Sequence, residues 1–345
     1  MIILYYISYA FWFLVSLLPL RVLYVLSDLI YLLMRYVLRY RRKVIRRNLS
    51  VSFPGKGKEG LRRIERDFYH YFCDYLMETV KLMTMSERQM RKRMVFTDLD
   101  DLHKTLAEGQ SVALYLGHYG NWEWVSSLPY WLDSSVQCAQ IYHPLENKHY
   151  DTLFKNLREK CGARCIAMNE ILRRMAEYRR ENQTVCIGYI SDQTPTWTNI
   201  HHWLPFLNHD TPVFTGAERI VKAADHAVFY ADVKRIKRGY YSCSIRLMTR
   251  EPRQTGQWEI TETYFRELEK TICRAPAYWL WSHNRWKRTR KEFDRRYKEV
   301  NGRVVLKNEN DHDNDKQDDR GTAGTQQQSS DKRASAGNSR HTQGH

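Results

Sequence analysis

An α/β domain with a mixed, mostly parallel sheet flanked by helices is the fold this chain predicts. Three observations carry that expectation. Short apolar runs alternate with amphipathic stretches from residue 111 onward, as a mostly parallel sheet with crossover helices requires. Two runs, 111–116 and 184–190, are apolar almost throughout, which suits strands covered on both faces. A later run, 241–248, alternates through Ser242, Ser244 and Arg246 and reads as an edge strand.

The elements follow in order. Residues 1–20 carry no charged side chain. About nineteen helical residues reach roughly 28 Å, close to the hydrocarbon thickness of a bilayer. No basic segment precedes the stretch and no small-residue cleavage site follows it, so 1–20 is expected to be a retained transmembrane helix. Val22 to Met34 is apolar but contains Asp28, which suits an interfacial or protein-packed helix. Arg35, Arg39, Arg41, Arg42, Lys43, Arg46 and Arg47 come next with no acid among them, so 21–60 reads as a basic interfacial segment. By the positive-inside rule the remainder lies in the cytoplasm after a single pass. The same cluster either binds anionic membrane lipids, at on the order of 1 kcal/mol per charge, or only sets topology.

A catalytic domain is expected over 61–300. Leu61, Ile64, Phe68, Tyr71, Phe72, Tyr75 and Leu76 recur near a 3.6 period, predicting a helix over 61–82. Asp98, Asp100 and Asp101 open a short helix that ends near Gly109. Strands are expected at 111–116, 136–142, 184–190, 227–233 and 241–248. Helices are expected at 121–130, 147–161, 169–181, 215–225 and 260–274. Residues 301–345 form the remainder, and from 308 onward apolar side chains almost vanish, so this polar tail is expected to be disordered.

The net charge is +16, and residues 301–345 contain seven Lys/Arg against seven Asp/Glu, so the excess lies in 1–300. Such a surface favours nucleic acid, anionic lipid or an acidic protein. The chain has no zinc finger, recognition-helix motif or RNA-binding aromatic signature, which argues against nucleic acid. The cysteines Cys73, Cys138, Cys161, Cys165, Cys186, Cys243 and Cys273 are odd in number and include no Cys-x-x-Cys pair. They read as reduced thiols rather than a disulfide framework or zinc site. His201, His202, His209 and Asp210 are close in sequence but fit no established metal-ligand spacing.

The stretch richest in chemistry is Gly117-His118-Tyr119-Gly120-Asn121-Trp122-Glu123, directly after the first apolar strand. His118 and Glu123 are too far apart to share one helix face, where neighbours lie three or four positions away. The spacing suits a strand-end His on a turn that Gly120 permits, with the Glu entering the next helix. A carboxylate there can hold the imidazole in one tautomer and favour its protonated form, so that His118 acts as a general base. A buried structural His with a satisfied partner is the alternative.

This His-x4-acid arrangement resembles the signature of the glycerolipid and lipid A acyltransferases. Three further blocks, in order, resemble the lauroyl/myristoyl-type lipid A acyltransferases, the bacterial lysophospholipid acyltransferase family. The first is Ile141-Tyr142-His143-Pro144-Leu145 with Gly162-Ala163-Arg164. The second is Ser191-Asp192-Gln193, then Leu204-Pro205-Phe206-Leu207 and Thr215-Gly216. The third runs from Ala275-Pro276-Ala277-Tyr278-Trp279 through Leu280-Trp281-Ser282-His283 to Asn284-Arg285-Trp286-Lys287. The likeness spans roughly 5–295. His143 departs from it, since the family usually has Arg there, and the departure bears on which substrate is used.

The resemblance implies a glycerolipid acyltransferase-like fold and an inner-membrane enzyme. It implies transfer of a fatty acyl chain from an acyl thioester, carried by acyl carrier protein or coenzyme A, to a hydroxyl of a lipid A precursor. His118 and Glu123 would be catalytic, with Glu123 orienting the imidazole. Asn121, His143, Arg164, Asp192 and Gln193 are candidates for binding substrate. Each has a plainer reading: Asn121 supports the turn, Arg164 is a surface residue, and Asp192 and Gln193 cap a turn. Thr215-Gly216 opens a helix that either receives an anion or is ordinary helix entry. Trp279, Trp281 and Trp286, with Arg285, Lys287, Arg288, Arg290 and Lys291, either pack on the core and face head groups or form a solvated basic end. No metal or organic cofactor is implied. An acyltransferase for another glycolipid, aminolipid or lysophospholipid, and a non-catalytic lipid-binding scaffold, are the competing functions.

Overall fold

The computed structural model describes residues 2–307, with side chains from residue 5 onward. It divides into two compact units, Met1–Thr289 and Arg290–His345. The polar segment expected to be disordered lies, from residue 308, outside the described residues.

In the first unit the chain runs α1 (Ile2–Leu17), α2 (Leu20–Leu32), α3 (Arg42–Ser52), α4 (Lys58–Lys81), α5 (Glu87–Arg93), β1 (Met94–Thr97), α6 (Asp100–Ala107), β2 (Val112–Leu116), β3 (Gln137–Tyr142), α7 (Lys148–Glu159), β4 (Arg164–Ala167), α8 (Ile171–Arg180), β5 (Val185–Ile190), β6 (His202–Phe206), β7 (His209–Val213), α9 (Gly216–Ala224), β8 (Ala227–Lys237), β9 (Tyr240–Thr249) and α10 (Glu259–Arg274). The second unit holds α11 (Arg290–Arg296) and an antiparallel hairpin, β10 (Tyr297–Val300) with β11 (Arg303–Leu306). Its turn is Asn301-Gly302, both at positive φ, the pairing that a tight hairpin favours.

The sheet has the order β1-β9-β8-β2-β5-β3-β4. Every pairing is parallel except β8 with β9. β2 lies in the middle and is buried at all five positions, which explains its unbroken apolar run. β9 is not the edge that its alternation suggested. β1 pairs with Tyr241–Ser244, and the alternation reflects one buried face against one half-covered face. The expected helix over 121–130 is instead a 3-10 segment over Trp124–Trp131. Ser126 and Ser127 donate to the Glu123 and Trp124 carbonyls three residues back, at 2.6 and 2.7 Å, which tightens the turn, and Pro129 lacks the N–H a regular helix needs.

The expected transmembrane helix is corrected. No helix among the described residues is long and apolar enough to cross a membrane. α1 has 16 residues, about 24 Å at 1.5 Å per residue, short of a hydrocarbon core of about 30 Å. The chain breaks at Leu18-Pro19, where Pro19 becomes the N-cap of α2. The Lys81 ammonium, itself buried, bonds the Ser16 and Leu18 carbonyls at 2.8 and 3.1 Å and so caps the end of α1 against α4. Asp28, the charge that set α2 apart, bonds Arg238, which also bonds the buried Asp74 of α4. α2 thus presents Leu23, Ser27 and Tyr31 to the protein, while Val25, Leu29 and the following Val37 and Leu38 stay more than half exposed.

Candidate active site

The site forms where β2 and β5 end side by side. Their register pairs Leu116 with Ile190. Continued two residues, it sets His118 opposite Asp192, and the side chains meet there. His118 Nδ1 lies 2.6 Å from Asp192 Oδ1. Asp192 Oδ2 accepts the His118 backbone N–H at 2.9 Å and the Trp279 indole N–H at 2.8 Å. Gly117 permits this approach, because a Cβ there would lie 2.5 Å from Leu268 Cδ1 and 3.3 Å from Asp192 Oδ2.

Asp192 is 2% exposed. Burial pushes its pKa up, but the His118 charge, the His118 and Trp279 side-chain bonds and the backbone N–H outweigh burial and hold it at about 2. An ionised carboxylate can only accept, so Nδ1 carries a hydrogen, and in the neutral ring the lone pair is then on Nε2. Gln193 Nε2 lies 3.2 Å from that lone pair. The arrangement can take a proton at Nε2 while the carboxylate holds the opposite nitrogen.

Glu123, expected to orient His118, is engaged elsewhere. Both of its oxygens are taken by Arg158, at 2.8 Å from Nε and 2.7 Å from Nη2, and Tyr75 OH approaches at 3.5 Å. Glu123 follows the turn at Gly120, whose φ is 59°, and meets Arg158 of α7. Arg158 carried no signal beyond its place in an amphipathic helix.

The other expected residues are scattered. Asn121 is fully buried; its Nδ2 donates to Glu78 at 2.7 Å and its Oδ1 accepts from the Trp124 N–H at 3.1 Å, which braces the turn. His143 is exposed beyond the end of β3. Arg164 is exposed at the start of β4, where the register makes it level with Ala113, at the opposite end of the strands from His118. His202 bonds Glu262 at 3.0 Å, and His209 stacks on Trp286 with ring centroids 3.7 Å apart.

The third sequence block braces the His118 turn. Tyr119 bridges Trp279, the Leu280 N–H donates to the His118 carbonyl at 3.2 Å, and the Gly120 N–H donates to the Tyr278 carbonyl at 2.9 Å. Trp279, Trp281 and Trp286 are all buried, so they pack in the core and do not face head groups. Asn48 of α3 bonds the Trp281 and His283 carbonyls, and Arg41 bonds that of Ser282. Arg42 and Arg46 pair with Glu65. Part of the basic segment therefore serves the fold.

Next to Trp122 lies a small apolar cavity of about 50 Å³. Trp122, Leu116 and Ile190 line it at the His118 end, with Ser126, Cys138 and Gly188 further along. Trp122 stands edge-on to His118, centroids 5.2 Å apart, and stacks on Tyr75 at 4.1 Å.

A carboxylate-held imidazole thus stands at the C-terminal ends of parallel strands, near a small apolar cavity, an arrangement chemically able to move a proton. The sequence profile of the bacterial lipid A biosynthesis acyltransferases matches residues 1–288, and the chain belongs to that family. No curated protein sequence matches the chain. Membership points to acyl transfer in lipid A biosynthesis, with an acyl donor and a lipid acceptor.

Proposed function

We propose that this protein transfers a fatty acyl chain from a thioester, on acyl carrier protein or coenzyme A, to a hydroxyl of a lipid A precursor, with His118 as general base and Asp192 as its orienting carboxylate. The contact that supports this best is the 2.6 Å approach of Asp192 Oδ1 to His118 Nδ1. The acceptor hydroxyl displaces Gln193 from Nε2 and gives its proton to that nitrogen. The freed oxygen attacks the thioester carbonyl, the C–S bond breaks, and the imidazolium returns the proton to the departing thiolate. Asp192 stabilises the imidazolium between these steps. The released Gln193 amide is a donor for the developing oxyanion. Transfer is direct and needs no Ser or Cys nucleophile.

The apolar lining from Trp122 to Gly188 marks where the acyl chain enters. Gly188 gives a clean handle on it, since a Cβ there meets nothing closer than 3.7 Å. Gly188→Ala is expected to fold normally and shift the product toward shorter chains. The exposed apolar side chains of α1 and α2, among them Ile7, Phe11, Leu14, Val25 and Leu29, seat the enzyme in one leaflet.

Mass spectrometry of lipid A tests the function. A host lacking the gene is complemented with wild type or His118→Ala. The reading expects one acyl chain to be lost and restored only by wild type. Unchanged lipid A with loss of an acyl group from another lipid would move the acceptor, and no change in any lipid, with inactive purified protein, would contradict catalysis.

A further inference from the structure

A second cleft lies on the other side of the catalytic turn. It is open to solvent, has a volume of about 410 Å³, and is walled by Arg63, His70 and Ile64 of α4, by Arg235 near the end of β8, and by the Ala275–Tyr278 segment. Tyr278 joins it to the site, because its carbonyl accepts the Gly120 N–H two residues after His118. None of its lining residues is shared with the apolar cavity.

Its charges are unevenly compensated. Arg235 Nη2 bonds Asp74 at 2.7 Å, and its guanidinium stands 5.3 Å over the Tyr278 ring, but its Nε is buried without a hydrogen-bond partner among the described residues. Asp74 is shared with Arg238, and Arg238 with Asp28, while the buried Glu78 also attracts Arg235, so the surplus charge does not lie on Arg235. Asp67, the one acid in the lining, pairs with Arg66 at 2.9 Å. Arg63 has no ion pair among the described residues and stands as surplus positive charge at the rim. His70 stacks on Tyr31, centroids 3.5 Å apart, with Nδ1 4.0 Å from Asp28. The remaining wall, Ala275 to Tyr278, is largely apolar.

Two guanidinium groups above an apolar wall suit a phosphate carried on a ring or polyol. We infer that this cleft binds a phosphate monoester, held by Arg63 and Arg235, and that its ligand is the head group of the acyl acceptor. The second clause rests on the proposed function; the first does not.

Calorimetric titration of the full chain in neutral detergent tests it, with dihexanoyl phosphatidic acid, dihexanoyl phosphatidylcholine and inorganic phosphate as probes. Saturable binding of the phosphatidic acid, absent for the choline lipid, is expected. Arg63→Gln should weaken it about tenfold, and so should Arg235→Lys, which keeps a cation beside Asp74. Lys287→Gln, an exposed cation outside the cleft, should change nothing. Equal affinity for inorganic phosphate would support the phosphate site and overturn the head-group clause. No saturable binding of either phosphate probe, or equal loss in Lys287→Gln, overturns the site. Where acyl transfer is measurable, Arg63→Gln should raise the acceptor KM with kcat unchanged; an unchanged KM overturns the acceptor clause. Intact binding by a wild-type chain that transfers no acyl group would contradict the acyltransferase reading and leave the phosphate site standing.

Discussion

Asp192 and Glu123 are two nearly sealed carboxylates flanking one turn, and their donors differ in kind. Asp192 receives an imidazole, an indole and a backbone N–H, each from the turn or from the segment that braces it. Glu123 receives both arms of an arginine from α7. The first set fixes the direction and tautomer of one ring, which a proton-transfer step needs. The second joins a helix to the turn, which a stable wall needs. Sequence proximity favours Glu123 as the partner of His118, while the 2.6 Å contact favours Asp192 in the proposed mechanism.

The largest expected effect separates the two. Asp192→Asn presents an N–H to Nδ1, moves the ring hydrogen to Nε2 and removes the base; kcat should fall about 10³–10⁴-fold, beyond what the accompanying loss of stability explains once activity is corrected for folded fraction. Glu123→Gln should act mainly on stability. It leaves Arg158 without its anion and is expected to cost about 1.5–3 kcal/mol in denaturant unfolding. Arg158 is about a quarter exposed, so water moderates that loss. Gly117→Ala sharpens the contrast, because its Cβ presses on both Leu268 and Asp192 Oδ2. A loss of about 1–3 kcal/mol is expected, with a fall in kcat that persists after correction for folded fraction.

The smallest effect is in pH dependence. Burial holds His226 and His283 at about 4, below the ordinary 6.5, and does the same to His209. The unfolded chain binds these protons first, so their contribution is complete above 6.5 and is lost as pH falls toward 4. Asp192 has the carboxylate pattern: its contribution is present above 3.8 and is lost as pH falls through about 2. Acid unfolding should therefore show two successive windows. His226→Gln should flatten the upper one by up to about 1.4 kcal/mol per pH unit. An unchanged slope would show that His226 is already protonated in the folded protein.

Much of the sheet was legible because its strands are apolar and its crossovers amphipathic: 112–116, 137–142 and 185–190 lie within one residue of expectation. β1 escaped because four residues after a basic helix carry no period, and β4 because Arg164 begins it at an exposed edge. The break near Pro19 and a separate second helix were legible, but the anchor was misread because the first helix ends at Leu17, after 16 residues, with Lys81 capping it against α4. In the site, His118 was legible from its turn, but its partner stands 74 residues away. The signal was nevertheless present. Pairing the two most apolar strands, and continuing their register two residues, brings Asp192 to His118.

The most direct test is steady-state acyl transfer by Asp192→Asn and Glu123→Gln, each corrected for folded fraction. The account predicts a loss of at least about 10³-fold in kcat for Asp192→Asn and a far smaller loss for Glu123→Gln. The reverse order, with Asp192→Asn near wild type, would return the orienting role to Glu123 and contradict the assignment.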